Sequence, residues 1–187
     1  MKKLITAILV LSLFCFSKCK KEHNPTKNAT LPAITQEGKN TIGFTIDGAV
    51  WVPYAVCGAF RNPCEEILAR YGESGGAAPN GIDFGFARQR NGTQSSLLIS
   101  SPFSTITSIG EKIDSIGVTF FAENHSGNNG YFIGSLPGSK FIITKIDFST
   151  QIISGEFEFI LIDGTGTKII LKDGRFDFKF NTCKCSN

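Results

Sequence analysis

Four cysteines beyond residue 40, Cys57, Cys64, Cys183 and Cys185, carry the side chains best suited to covalent chemistry. In an oxidising compartment four thiols can pair in three disulfide connectivities. Disulfides that join Cys183 and Cys185 to Cys57 and Cys64 would link the last strand covalently to the N-terminal part of the domain. A zinc site is the alternative, but the C-x₆-C and C-x-C spacings differ from the usual C-x₂₋₄-C. The spacing therefore favours disulfides over a metal site and leaves their connectivity open.

Histidine and paired carboxylates are the next candidates, as general bases or as glycosidase residues. His125 lies in the polar sequence ENHSGNNG at residues 123–130, and His23 lies far upstream. Glu156 and Glu158 alternate on one predicted strand, about 7 Å apart, a separation that glycoside hydrolysis permits. A hydrophilic loop and a solvated strand face explain the same residues without any function. The sequence thus predicts no catalytic residue, metal or cofactor, and a carboxylate-based hydrolase is the alternative.

The N-terminus has the layout of an export signal. A basic start precedes an apolar run at residues 4–16, and Ser17-Lys18-Cys19 follows as the cleavage region. The run is far shorter than the roughly 20 residues of a transmembrane helix. A cysteine at this place predicts a bacterial lipoprotein, cleaved after residue 18 and acylated on Cys19. A soluble exported protein cut at another site, with Cys19 as an ordinary residue, is the alternative.

The chain that follows the signal is predicted to be nearly neutral. The full sequence has 19 basic and 16 acidic residues, and three of the lysines lie within residues 1–18, which leaves 16 of each sign. A neutral chain without a basic stripe argues against nucleic-acid binding. Residues 20–39 are rich in Lys, Asn, Thr and Pro and lack periodicity, so they predict a flexible tether.

Residues 140–180 predict the element around which the folded domain is built. Their apolar side chains recur at every second position, the spacing of one face of a β-strand. Breaks at Ser149-Thr150, at residues 163–166 and at Asp173-Gly174 divide the stretch into four strands. The pattern therefore predicts an antiparallel four-strand meander with Phe176, Phe178 and Phe180 in the interior.

Asp173-Gly174 is the sharpest turn signal, because a two-residue type I′ turn needs positive φ at both positions. Such a turn would place Asp177 on the outer face, among lysine and arginine side chains. The pairs it predicts are Leu171 with Phe176, Ile169 with Phe178 and Thr167 with Phe180.

The other two turns of the meander also predict a register. A turn at Ser149-Thr150 would keep the apolar residues of its two strands on one face. The middle loop must have an odd number of residues to do the same, with a glycine-assisted bulge at Gly164 or Gly166. The predicted pairs are Ile146 with Ile153, Ile142 with Phe157 and, for a three-residue loop, Phe159 with Ile169 and Phe157 with Leu171.

The rest of the domain reads as short strands separated by turns. Residues 41–53 predict a hairpin with Asp47-Gly48 as its turn, which pairs Phe44 with Trp51, and Ile42 with Pro53, and makes Trp51 a core residue. Residues 62–71 predict a strand after one helical turn. Further strands are predicted at residues 82–88, 95–101, 114–122 and 131–134. The fold class is all-β, an antiparallel β-sandwich of about ten strands, with a closed β-barrel as the alternative.

Several segments resemble a family of small lipoproteins from Bacteroidota that is known only as a domain of unknown function. The segments are the start at Cys19-Lys-Lys, residues 31–44, DGAVWVP at 47–53, ITKID at 143–147, ISGEFEF at 153–159 and DGRFD at 173–177. The similarity covers both ends of the chain after the signal. It implies an anchored protein of the cell envelope and supplies no catalytic residue.

These observations predict three regions: a signal peptide at residues 1–18, a tether at 19–39 that begins at lipidated Cys19, and one β domain at 40–187. The predicted location is the outer membrane. Because Lys20-Lys21-Glu22 lacks an acidic run of the kind that resembles a surface-export signal, the periplasmic side is favoured over the cell surface. The predicted function is a non-enzymatic binding or accessory module for a glycan or an envelope protein, and an envelope hydrolase is the alternative.

Overall fold

The computed structural model describes residues 28–54, 66–71, 81–90, 93–100, 109–110, 112–113, 116–122, 130–133, 136–180 and 182–184. The predicted signal peptide lies outside these ranges, as do Cys19, Cys57, Cys64, Cys185 and His125. The described residues contain no helix and form eleven strands. They are β1 Thr41–Ile46, β2 Ala49–Trp51, β3 Ile67–Tyr71, β4 Ile82–Arg90, β5 Thr93–Ser100, β6 Gly117–Ala122, β7 Gly130–Ile133, β8 Lys140–Asp147, β9 Ile152–Ile162, β10 Lys168–Lys179 and β11 Thr182–Lys184.

The strands form two antiparallel sheets that pack face to face. One sheet has the order β11-β3-β4-β5-β6-β7 and the other β8-β9-β10-β1-β2, and the pair Ile133–Ile162 joins the two ladders. Phe84 of β4 contacts both Phe176 and Phe178 of β10, with ring centroids 5.4 Å apart in each case. The predicted antiparallel β-sandwich is therefore confirmed, and the alternative of a closed barrel is not.

The core is built from the alternating residues that the sequence predicts. Phe157, Phe159 and Leu161 of β9 and the three phenylalanines near the end of β10 are all buried. Many of these rings stack, as Phe157 does on Phe159 with centroids 4.9 Å apart. Because burying a phenylalanine side chain contributes roughly 1.5–3 kcal/mol, this aromatic layer is a main source of stability.

The prediction of a hairpin at Asp173-Gly174 is wrong. β10 runs through this dipeptide as one strand of 12 residues, and Leu171 pairs with Phe159 and Gly174 with Phe157 across a bulge. Asp173 does adopt positive φ, at 53°, but in the bulge. An uninterrupted β10 pairs with β9 along one edge and with β1 along the other, whereas a turn would have ended both ladders. The C-terminal meander consequently has three strands instead of four.

The loop between β9 and β10 is odd in length, as predicted, but has five residues instead of three. It spans residues 163–167, so Leu161 pairs with Ile169, and Phe159 with Leu171. The carboxylate of Asp163 organises it by accepting hydrogen bonds from Thr165 N at 2.8 Å and Thr167 N at 2.9 Å. Gly166 has φ of 91°, a conformation that favours glycine. The predicted bulge at Gly164 or Gly166 is wrong, because the one irregularity of this ladder lies between Leu171 and Gly174.

The register of β8 against β9 is partly as predicted. Ile146 pairs with Ile153, but an irregularity between Ile143 and Lys145 shifts the rest of the ladder by one residue. Phe141 therefore faces Phe157, and the predicted pairing of Ile142 with Phe157 is wrong. A bulge reverses the side-chain alternation beyond it, so the sequence pattern alone gives the wrong inward set here.

The hairpin of β1 and β2 is confirmed. Asp47 and Gly48 have φ of 50° and 75°, and Phe44 pairs with Trp51. Trp51 is 3% exposed, stacks on Phe44 with centroids 4.8 Å apart and donates its indole N–H to Ser95 Oγ at 2.9 Å. It is thus a core residue, as predicted. Only the Ile42–Pro53 pair is wrong, because β2 ends at Trp51 and Ile42 pairs with Phe176 of β10.

Candidate functional site

The carboxylate of Asp177 lies buried under the N-terminal segment and binds it to the domain. Asp177 is 1% exposed and lies on β10, between Thr41 of β1 and Ser154 of β9. Its oxygens accept hydrogen bonds from Thr35 Oγ1 (2.6 Å), Glu37 N (3.1 Å), Gly38 N (2.8 Å), Lys39 N (3.2 Å) and Ser154 Oγ (2.7 Å). Three successive backbone amides converging on one carboxylate form a nest for an anion.

Local backbone conformation makes this nest possible. Gly38 and Asn40 have φ of 71° and 55°, and alternation between right- and left-handed conformations turns successive N–H groups to the same side. A side chain at Gly38 would also come within 2.8 Å of Lys179 Cγ. Glycine is therefore required at this position for both its conformation and its size.

Hydrogen bonding determines the ionisation of Asp177. Burial by itself would raise the pKa of this carboxyl, but the hydrogen bonds from Thr35, Ser154 and the amides of Gly38 and Lys39 outweigh it. The pKa of Asp177 therefore lies below its ordinary value, and the group is a carboxylate at neutral pH.

Residues 32–39, here called the docked segment, make further contacts with the second sheet. Arg175 Nη1 donates to the Pro32 carbonyl at 3.4 Å, and Lys145 Nζ donates to the Gln36 carbonyl at 2.9 Å. The side chain of Gln36 donates to the Thr144 carbonyl at 3.2 Å. The prediction of a flexible tether extending to residue 39 is thus wrong for these residues, which belong to the folded domain.

A cleft opens on the outer face of β8, β9 and β10, beside the docked segment. It has a volume of about 170 Å³. Phe157 and Gly174 are two of its lining residues. Its other lining residues are Ile34, Lys140, Glu156, Glu158, Asp173 and Arg175. Ile34 comes from the docked segment and is 60% exposed, so an apolar side chain stands next to charged ones at the mouth of the cleft.

Charges of opposite sign alternate across the strands of this cleft. Lys140 lies opposite Glu158, and Arg175 lies opposite Glu156. Cross-strand pairs of opposite charge contribute roughly 0.2–1 kcal/mol each to a sheet. The Arg175 guanidinium also donates to the Asp173 carbonyl at 3.2 Å, which fixes its position at one wall. The three carboxylates and two cations suit a ligand that offers a cationic group next to an apolar one.

The predicted carboxylate pair, Glu156 and Glu158, is brought into this cleft as the alternation on β9 implies. The role of Asp177 and the contribution of Ile34 are not evident from the alternation of the sequence. A signal was nevertheless present, because Gly38 and Asn40 are residues that adopt positive φ and they lie directly before a strand. Such residues indicate a defined turn more than a solvated tether.

Of the four cysteines that are predicted to form disulfides, Cys183 is the one among the described residues. β11 pairs with β3, and Cys183 lies opposite Leu68. The C-terminal strand is therefore next to the strand that follows Cys64 in the sequence, as the predicted disulfides between these two regions require. Since Cys57, Cys64 and Cys185 lie outside the described residues, the disulfides stay a prediction.

Two features are absent from the residues that the structure describes. Within those ranges, no group of three or more His, Cys, Asp or Glu side chains could hold a metal ion. No helix there is long and apolar enough to span a bilayer.

Comparison of the chain with protein-family models, with curated proteins and with solved structures finds no match.

Proposed function

We propose that this protein is a lipid-anchored module of the outer membrane, on its periplasmic side, and that it binds a segment of an envelope protein without chemical turnover. The observation that carries the proposal is the position of the cleft. One of its walls is Ile34 of the docked segment, so the binding site adjoins the point where the polypeptide leaves the domain towards Cys19. The anchor would then hold the cleft close to the membrane surface.

The chemistry of the cleft supports a protein ligand more than a glycan. Sugars are commonly bound by stacking on an exposed aromatic ring, whereas Trp51 is buried in the core and Phe157, although it lines the cleft, is buried as well. Mixed charges beside an exposed isoleucine match a peptide with a lysine or arginine next to an aliphatic residue. Glu156 and Glu158 would receive the basic group, and Ile34 would contact the aliphatic one.

The anchor is tested by replacing Cys19. In cells, Cys19→Ser is expected to move the protein from the membrane fraction to the soluble fraction, because the acyl chains that bind the bilayer are lost. Lys20→Ser, which leaves the acylated position intact, should remain with the membrane. Immunoblots of separated outer-membrane and soluble fractions measure the change, and Cys19→Ser protein found entirely with the outer membrane would contradict the proposed anchor.

The cleft is tested with peptide arrays and a panel of soluble glycans, using the purified protein. Retention of peptides that carry a basic residue next to an aliphatic one is expected, and higher salt should weaken it. The double variant Glu156→Gln/Glu158→Gln should lower the affinity by about tenfold or more. Glu37→Gln removes an exposed carboxylate that does not line the cleft and should bind as the wild type does. Equal binding by all three proteins would contradict the role of the cleft.

A carboxylate-based glycoside hydrolase is the second candidate, favoured by the shared position of Glu156 and Glu158 in one cleft. The glycan panel separates the two functions. Release of shortened sugars that is abolished in the double glutamine variant would support the hydrolase. Intact glycans after prolonged incubation, together with peptide retention, would support the binding module.

A further inference from the structure

The docked segment joins two features that lie side by side, the outer cleft and the buried carboxylate of Asp177. Ile34 is the residue of this segment that lines the cleft. The next residue, Thr35, donates its hydroxyl hydrogen to Asp177 Oδ2 at 2.6 Å. Neither Thr35 nor Asp177 is a lining residue of the cleft. The position of the apolar wall at Ile34 is therefore set by a hydrogen bond that lies outside the cleft.

The docked segment is attached to the sheet on either side of Ile34, and the two attachments differ in strength. On one side, Arg175 Nη1 donates to the Pro32 carbonyl at 3.4 Å, which is long for a hydrogen bond. On the other side, the Asp177 carboxylate accepts the short bond described above and three more from the backbone amides of residues 37–39. Asp177 is thus the stronger attachment, and the position of Ile34 depends mainly on it.

Arg175 connects the docked segment to the cleft a second time. This side chain lines the cleft, lies opposite Glu156 and donates to the carbonyls of Pro32 and Asp173. If the docked segment separated from the sheet, the guanidinium would lose its acceptor at Pro32 and the cleft would lose Ile34. An apolar wall and a charged wall of the cleft both depend on the docked segment.

We propose that the docked segment is a movable wall of the cleft, and that Asp177 is the positioning residue that holds this wall against a bound peptide. The inference rests on the peptide-binding function proposed above. A ligand that contacts Ile34 binds the docked state better, so ligand binding and docking stabilise each other. The apparent affinity falls in proportion to the fraction of molecules in which the segment is docked. Substitutions at Asp177 or Thr35 should consequently weaken peptide binding although neither side chain lines the cleft.

The binding test uses the peptide acetyl-GSKIGS-amide, which carries a lysine next to an isoleucine, titrated into the purified protein by calorimetry. Thr35→Val keeps the shape of the side chain but removes the hydroxyl group, and should weaken binding by about threefold to tenfold. Thr35→Ser keeps the hydroxyl group and should bind within about twofold of the wild type. Asp177→Asn should weaken binding by about tenfold or more. Thermal unfolding of each protein checks that it is folded at the temperature of the titration.

Hydrogen exchange in the wild-type protein provides a readout that a purely structural role of Asp177 would not change. The amides of Gly38 and Lys39 bind Asp177 and belong to residues that do not line the cleft. Saturating peptide should slow their exchange by about threefold or more, because the bound state contains fewer molecules with an open segment. The amides of Thr165 and Thr167, which bind Asp163 in an exposed loop, are the internal control and should exchange at an unchanged rate.

The outcomes separate this inference from the proposed function. Wild-type affinity in Thr35→Val and Asp177→Asn, together with weakened binding in the double glutamine variant of the cleft, would overturn the coupling and leave the peptide-binding function intact. Binding of the peptide by none of the proteins would overturn both. Equal weakening in Thr35→Val and Thr35→Ser, or unchanged exchange at Gly38 and Lys39 in the peptide-bound protein, would overturn the role of Asp177 as the positioning residue.

Discussion

Replacing Asp177 with alanine is expected to detach the docked segment and to lower the free energy of unfolding by about 3–5 kcal/mol. The substitution removes a buried charge that accepts hydrogen bonds from three backbone amides and two hydroxyl groups. Those donors would then be buried without acceptors unless the segment separates from the sheet. Urea denaturation followed by the fluorescence of Trp51, the single tryptophan, measures the loss of stability.

A matched control is available within the docked segment itself. Glu37→Gln also removes one negative charge, but the Glu37 side chain is exposed and its ion pair is with Lys39, at 2.6 Å. Exposed ion pairs contribute about 0–1 kcal/mol, so this variant should unfold nearly as the wild type does. Hydrogen exchange at the Gly38 and Lys39 amides should be fast in Asp177→Ala and slow in the control. Wild-type stability together with slow exchange in Asp177→Ala would contradict the role of the carboxylate.

The pH dependence of this interaction has a definite sign. Because hydrogen bonds hold the pKa of folded Asp177 below its value in the unfolded chain, the carboxylate stabilises the fold above about pH 4. That contribution is lost as the pH falls through the folded pKa. The gap in stability between wild type and Asp177→Asn should therefore be constant near neutrality and shrink in acid. Asp147 and Asp163, whose pKa values are also lowered, are unchanged in both proteins and do not alter the comparison.

Adding one methyl group at Gly155 is expected to destabilise the domain by about 3 kcal/mol or more. A Cβ atom there would collide with the carbonyl oxygen of Ile142 on β8 and would come within 2.6 Å of the Phe176 ring. The Ile142 oxygen belongs to a backbone paired with β9, so it cannot rotate away as a flexible side chain could. The two strands would have to separate or the aromatic layer would have to shift.

Gly164→Ala provides the comparison for this variant. Gly164 lies in the exposed loop between β9 and β10, and nothing lies within 4 Å of a Cβ added there. Replacing such a glycine restricts the unfolded chain, so the variant should match or slightly exceed the wild-type stability. Urea midpoints of the two variants measure the difference. A Gly155→Ala midpoint equal to that of Gly164→Ala would show that the packing at β9 is looser than the structure indicates.

The two Asp-Gly dipeptides show where sequence reasoning succeeds and where it fails. Asp47 and Asp173 adopt nearly the same φ, 50° and 53°, so the local preference is correct in both. At Asp47 the chain reverses and forms a hairpin, whereas at Asp173 it makes a bulge and continues. The difference is decided by partners distant in sequence, since β10 pairs with β9 over its whole length and with β1 from Leu171 to Asp177. The two residues of a dipeptide do not indicate which strands will lie beside it in the folded sheet.

The sequence by itself determined the fold class and most of the inward-facing residues. Side-chain alternation with period two is a local property of each strand, and burial of one face follows from it. Only the tertiary structure decided the environment of Asp177. Alternation places this side chain towards solvent, but the docked segment, more than 130 residues away in the sequence, covers it. The tertiary structure also decided the cleft, because Ile34 meets the charged face of β9 only after the chain has folded. Contacts between distant segments depend on the whole fold, and no local pattern encodes them.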